Sequence, residues 1–385
     1  MGEAQIIDDW LAALLRGAGR SVGQTPVPAR CSSQTISRRI AYHGIAHLLV
    51  DSADAFAKLP EDVAITVRRQ AMQREYWEAS HRHAITPLLA QFGDAGISPV
   101  MMKGTAFAYA LYANPAARTR GDSDVLIPEA QVEAAREVLS SRGFKREAPP
   151  HGVLFQESWS IEDAGGLTHD VDLHWQVVDS PLLQRALPME EVLERTIALP
   201  GLHEGARSLG YADSLIQLAL NAEYHAILGY YIDGERMTGP RRLIWTYDTA
   251  LLLRAMGPTD WAVLHRSARK SGIGPLLAKA VADASARLGV PVGEEQLAPL
   301  RSAPSDHRIL RYLASADRLE RVKRDFLASS GLRRKAHFLA AMASPSDDQL
   351  REAFPQAAGW PVALLKLRYV ISKAIGLASG SKRRS

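Results

Sequence analysis

Two short stretches of this chain alternate acidic and apolar residues with a period of two, and they constrain the fold more than any other feature. In Asp122-Ser-Asp-Val-Leu-Ile127, a strand puts Asp122 and Asp124 on one face and Ser123, Val125 and Ile127 on the other. In His169-Asp-Val-Asp-Leu-His-Trp175, the same period sets Asp170, Asp172 and His174 opposite Val171, Leu173 and Trp175. If the two strands are neighbours in one sheet, up to four carboxylates and an imidazole converge on one patch. Like charges packed in this way destabilise a fold unless something cationic sits between them.

The surrounding pattern is helical. Residues 1 to 95 carry apolar residues at helical spacing, among them Ile6, Ile7, Trp10, Leu11, Leu14 and Leu15. From residue 97 the pattern shifts to short apolar runs. Ile97-Ser-Pro-Val-Met-Met102 suits a buried strand, a helix follows from Thr105 to Tyr112, and Asn114-Pro115 breaks it. The acidic strand 123–127 ends at Pro128, and residues 129–141 make a helix closed by Gly143. Residues 154–161 and 167–178 read as two more strands, with Gly165-Gly166 as their turn. Helical spacing returns at Tyr211 and persists to the end. The fold class is therefore α+β, with an N-terminal helical unit (1–95), a small mixed-sheet core (96–200), a C-terminal helical unit (201–360) and a basic amphipathic tail (361–385).

Lys103-Gly104-Thr105 stands at a strand-to-helix turn. Glycine there lets the backbone approach a ligand, and a helix N-terminus offers free amides to phosphate. Thr105 adds a hydroxyl and Lys103 a point charge. Beside them, magnesium suits the carboxylate patch because it takes oxygen ligands and shares its shell with substrate phosphates; manganese fits the same donors. A lone Asp-x-Asp is ordinarily a solvated face, and Lys-Gly-Thr alone an ordinary turn. Three such elements in this order within about 75 residues point instead to metal-assisted phosphoryl or nucleotidyl transfer.

Other chemistries are excluded. The chain has 385 residues and one cysteine, Cys31, so it holds neither an internal disulfide framework nor a cysteine-based metal site, which fits a cytoplasmic protein. No P-loop, dinucleotide fingerprint or serine-nucleophile elbow is present. The net charge of +4 comes from the tail: the last twenty residues hold Lys366, Arg368, Lys373, Lys382, Arg383 and Arg384 and no acid. Without those six, 40 basic face 42 acidic side chains, so the body is not a nucleic-acid-coating surface. The tail, 362–377, reads as a docked terminal helix or as a weak membrane-surface contact. His43 and His47 are four apart but lack the acid of a zinc motif, and His81 and His83 read as incidental.

Val100-Met-Met-Lys-Gly-Thr-Ala-Phe-Ala-Tyr-Ala-Leu-Tyr112, Pro115-Ala-Ala-Arg118, Arg120-Gly-Asp-Ser-Asp-Val-Leu-Ile127 and Asp172-Leu-His-Trp175 together resemble the uncharacterised bacterial nucleotidyltransferase family of the DNA polymerase β superfamily. Arg242-Leu-Ile-Trp-Thr-Tyr-Asp248 is similar to a segment of that family's C-terminal region. The resemblance implies a polymerase β-like core. It also implies metal-binding and catalytic roles for Asp122, Asp124 and Asp172, and phosphate-cradling roles for Gly104 and Thr105. Two departures stand out: Gly104-Thr105 replaces the usual Gly-Ser or Gly-Gly, and the gap from Gly104 to Asp122 is longer than in the better-known polymerase β relatives.

The expected reaction moves a nucleoside monophosphate from an NTP donor to an unidentified acceptor. Lys103, Gly104, Thr105, Arg118 and Asp248 are the nucleotide-binding candidates, with His174, Asp170, Arg120 and His225 as accessory neighbours. Two other readings fit the same residues. One is a degenerate, toxin-like binding or regulatory protein; the other is a phosphoryl or glycosyl transfer enzyme on this scaffold.

Overall fold

The computed structural model describes residues 2–16, 31–147, 154–232, 235–237, 241–343, 350–351, 354–357 and 359–369. The N-terminal helices are α1 (Glu3–Arg16), α2 (Ser33–His43), α3 (Ala46–Asp51), α4 (Ala53–Phe56) and α5 (Glu61–Asp94). The mixed segment follows as β1 (Val100–Met102), α6 (Lys103–Leu111), β2 (Asp122–Leu126), α7 (Val132–Ser141), β3 (Lys145–Arg146), β4 (Gln156–Glu162), β5 (Thr168–His174), α8 (Met189–Glu194), β6 (Ile197–Ala198) and β7 (Arg207–Ser208). Then come α9 (Tyr211–Leu228), the hairpin β8 (Tyr230–Ile232) and β9 (Glu235–Met237), α10 (Leu243–Ala255), α11 (Pro258–Ser271), α12 (Gly274–Leu288), α13 (Glu294–Arg301), α14 (His307–Ala314), α15 (Arg318–Ala328) and α16 (Leu332–Ala343).

Seven described strands form one mixed sheet in the order β3-β4-β5-β2-β1-β7-β6. Because side chains alternate along a strand, the sheet separates two apolar clusters. Met101, Val125, Ile127, Val171 and Leu173 face one way and pack on Ile85, Leu88, Leu89 and Phe92 of α5 and on Val132, Ala135 and Leu139 of α7. Val100, Met102 and Leu126 belong to the other cluster, which is built mainly from helices. The central pairing is β2 with β5, parallel and in a register that sets Asp122 opposite Asp170 and Asp124 opposite Asp172. The two acidic strands are therefore neighbours.

Three features depart from the sequence reading. The helical period after Tyr211 is interrupted by the β8–β9 hairpin. The sheet runs on to Ser208, past the boundary at 200, because β7 pairs in parallel with β1. Finally, the flanking helical segments share one core: Ile7, Leu11, Ile36 and Ile40 lie in the same cluster as Leu243, Leu277, Val281 and Ile309. A buried polar node ties that union together. Arg39 on α2 forms a two-pronged ion pair with Asp8 on α1, and His43 bonds both Asp8 and the backbone N–H of Leu243 on α10.

No helix among the described residues is long and apolar enough to cross a membrane. Residues 362–369 are helical, with Val362, Leu365 and Tyr369 against Leu350, Phe354 and Ala357. The rest of the basic tail lies outside the described residues.

Candidate active site

Asp124 and Asp172 reach the same side of the sheet because they are register partners on parallel strands. His174 follows two residues along β5, and its Nε2 lies 2.9 Å from Asp124 Oδ1. Ligand atoms of Asp124, Asp172 and His174 all come within 4.8 Å of one another. Asp172 is held by Ser158 Oγ, which donates to Oδ1, and by Gln156 Nε2 at 3.4 Å from Oδ2; both partners sit on β4. Lys103 opens α6 and is the only non-glycine residue with positive φ among those described, at 49°. That conformation costs about 1–2 kcal/mol for an ordinary side chain. It swings the ammonium onto Asp124 Oδ1, and the same charge also acts on Asp122 and Asp172.

The electrostatics of the floor are unbalanced. Burial, then the charges of Asp124 and Asp172, push the Asp122 carboxyl up to about 7, against the opposing pull of Lys103 and Arg120. Burial also works against Asp124, yet Lys103 and His174 prevail and bring it down to about 2. One ammonium thus serves three carboxylates. The surplus negative charge and the oxygen-rich donor set fit a divalent cation, which Asp124, Asp172 and His174 would hold with Asp122 alongside.

These residues form one wall of a cavity of about 620 Å³ between the sheet and the C-terminal helices. The opposite wall is supplied by α9 (Gln217, Asn221, Tyr224, His225), by Arg242 and Trp245 at the start of α10, and by Tyr312, Arg321, Asp325 and Phe338 of α14–α16. A small sheet needs such a second wall to enclose a nucleotide.

Several candidates are placed differently from what spacing suggested. Thr105 is not a cavity residue: its hydroxyl bonds Ser123 Oγ and the Asp122 carbonyl and accepts from Arg120 Nε, so it braces the turn. Gly104 lines the cavity, but the close approach it permits is to protein, because a Cβ there would meet Arg120 Cβ at 3.0 Å. Lys103 sits on a carboxylate rather than free for phosphate. Arg120 pairs with Glu78 on α5, not with Asp122. Arg118 and Asp248 bond each other, with Nε 2.8 Å from Oδ2, and Tyr112 OH donates to the same carboxylate. Asp248 is fully buried and off the cavity. Asp170, opposite Asp122, also lies off the cavity; burial and then Asp172 raise its pKa. His225 lines the cavity, with Nδ1 bonded to the Gly229 carbonyl.

Sequence reasoning missed four cavity groups. Asp179 accepts the backbone N–H groups of Leu154 and Phe155. Asp325 accepts from Ser180 Oγ, Tyr312 OH and the Leu182 N–H, and burial raises it to about 6. Gln217 donates to the Val177 carbonyl, while its buried Oε1 has no partner among the described residues. Arg242 is the fourth. Gln217 and Asp325 lie in no local motif; Arg242 opens the 242–248 segment already singled out, and the acid at 179, five residues past His174, also gave a signal that could have been read. His81, read as incidental, is buried and bonds Ser123 behind the acidic strand.

The sequence profile of a family described as uncharacterised nucleotidyltransferase matches residues 32–289. No curated protein matches the chain. The crystal structure of an antigenic nucleotidyltransferase-like protein from Paracoccidioides brasiliensis aligns at 15% identity over 60% of this chain and 96% of that one, with a TM-score of 0.36. The matched span contains the whole sheet and α9 to α12, while α13 to α16 lie beyond it.

Proposed function

The chain belongs to the uncharacterised nucleotidyltransferase family, and we propose that it moves a nucleoside monophosphate from a nucleoside triphosphate to a hydroxyl or phosphate of a small-molecule, sugar or peptide acceptor. The observation that carries this reading is the parallel β2–β5 register, which gathers Asp122, Asp124 and Asp172 at the floor of a nucleotide-sized cavity. Magnesium is the proposed metal; once bound, it neutralises triphosphate charge and favours an ionised acceptor oxygen. In the transfer, an acceptor oxygen forms a bond to the α-phosphorus. The α–β bridging P–O bond breaks, and its electron pair leaves with pyrophosphate.

The chain's own residues set up that step. Ser158 and Gln156 fix the rotamer of Asp172, which is the carboxylate we assign to take the acceptor proton. Lys103 holds Asp124 ionised and brings a positive charge to the floor. The helical wall faces that floor across the cavity.

Calorimetric titration with ATP, GTP, CTP and UTP, with and without magnesium, tests the reading. Magnesium-dependent binding of one nucleotide, lost in Asp122→Ala, supports it and identifies the donor for an acceptor screen. Folded protein that binds none of the four sinks it in favour of a degenerate scaffold. A product mass that shows phosphate or sugar added instead of a nucleotide assigns a different transfer to the same site.

A further inference from the structure

We infer that Arg242 anchors a phosphate-binding subsite in the helical wall of this cavity, separate from the acidic floor; the inference rests on the nucleotidyl-transfer reading for the source of that phosphate. Arg242 is only 3% exposed, yet it lines the cavity. Among the described residues, no carboxylate lies within ion-pair distance of it, unlike Arg39, Arg118 and Arg120, which each have one. Arg118 adds a second guanidinium charge, and Asp248, the carboxylate that feels both arginines, is already bonded to Arg118. Among the described residues, two buried guanidiniums therefore share one counter-ion. A buried charge left unpaired is costly, and proteins retain one where a ligand completes it.

The side chain is preorganised. Nε donates to the Tyr42 carbonyl, and the guanidinium lies over the Tyr230 ring at 4.1 Å and near Trp245 at 5.4 Å. Nη2 occupies space that only a glycine at position 44 leaves open, since a Cβ there would stand 2.7 Å away. Among the described residues no carboxylate bonds Arg242 directly, and the rings that flank it can pack a guanidinium but cannot neutralise it. A planar fork held in this way suits a phosphate, which it can grip through two parallel N–H donors. Lys103, His225 and Arg242 line the same cavity, so the subsite opens onto the floor of the proposed transfer. Burial lowers the pKa of Arg242, and Arg118 adds to it, against the opposing pull of Tyr230 and Tyr42.

The phosphate can come from the β–γ end of the donor or from the acceptor. Wild type and Arg242→Gln are titrated with magnesium nucleoside triphosphate, with the matching monophosphate, and with inorganic phosphate added to triphosphate-saturated protein. We expect Arg242→Gln to weaken either the triphosphate or the inorganic phosphate about tenfold or more, with monophosphate binding unchanged. Loss confined to the triphosphate assigns Arg242 to the donor; loss confined to inorganic phosphate assigns it to the acceptor. Unchanged affinity for both overturns the inference and leaves the proposed function standing. An equal loss for all three ligands reports a damaged cavity and also overturns it. Wild type that binds inorganic phosphate but no nucleotide overturns the proposed function alone, and wild type that binds neither overturns both. If Arg242→Gln does not fold, Arg242→Lys makes the same comparison, since it keeps the charge and loses the fork.

Discussion

Two clusters of buried charge in this molecule are built to opposite ends. Around Asp8 every group has a partner. Arg39 grips both carboxylate oxygens at 2.8 and 2.7 Å, and His43 Nε2 sits 2.7 Å from Oδ1. The second ring nitrogen of His43 accepts the Leu243 N–H at 3.0 Å, which requires a neutral imidazole with its proton on Nε2. Burial agrees, holding the His43 pKa down at about 4 even against the pull of Asp8. At the sheet floor, three carboxylates compete for one ammonium and one of them is pushed up to about 7. The first arrangement closes a core. The second leaves negative charge at a cavity, where only a ligand can balance it. Buried charge alone therefore says little about function; what counts is whether the charge is balanced within the protein.

The contrast is sharpest in Asp172→Asn. Turnover should fall about 10³-fold or more, while the melting temperature stays level or rises because a like-charge repulsion is relieved. A parallel fall in stability and activity would show that the floor is structural after all. The reverse pattern is expected at the other cluster. Asp8→Ala strands Arg39 and His43 and should cost about 3–5 kcal/mol in urea unfolding, while the protein that remains folded binds nucleotide as before.

Acid titration separates the two clusters further. The His43 pKa is lower in the folded protein than the 6.5 of a free imidazole, so the unfolded chain binds the extra proton below that value. Its contribution is fully present above pH 6.5 and is lost as pH falls towards about 4, on the order of 3 kcal/mol in all. Asp8, lowered despite its burial by His43 and Arg39, adds a separate loss that begins only as pH falls to about its ordinary 3.8 and below. A His43→Gln variant should flatten this slope in melts recorded from pH 4 to 7; an unchanged slope would place the acid sensitivity elsewhere. Asp325 has the opposite sign. Its folded pKa of about 6 lies above the 3.8 of an ordinary aspartate, so its contribution is present below 3.8 and lost as pH rises through 6. Asp325→Asn should gain on wild type across that window, by about 1 kcal/mol once the weakened hydrogen bonds from Ser180 and Tyr312 are counted. This is the smallest effect, and a melting-temperature difference that ignores pH would refute it.

Local sequence carried the sheet floor because a strand's period of two is itself local. Asp122, Asp124, Asp172 and His174 needed only alternation to be placed on one face, and the Lys103-Gly104 turn needed only the junction of an apolar run and a helix. The helices around them were legible from their apolar spacing. Functional assignments made residue by residue outside those strands fared differently. Arg118, Arg120, Thr105 and Asp248 are polar residues near a motif, and nothing in the order of residues says whether a guanidinium will meet a phosphate or a carboxylate. Asp248 lies 130 residues from the arginine that binds it, and Glu78 lies 42 from Arg120.

What the sequence determined by itself is thus the α+β class, the acidic faces and the family, because each rests on period or on contiguous motif. Tertiary structure alone decided that β2 and β5 pair in the register that brings Asp124 to Asp172, and that the N-terminal and C-terminal helices share one core. It also decided that Arg39 is balanced while Arg242 is not. The physical reason is the same in each case: the energy of a buried charge depends on what stands within a few ångströms of it, and those neighbours are brought in by chain folding from positions that no local pattern connects.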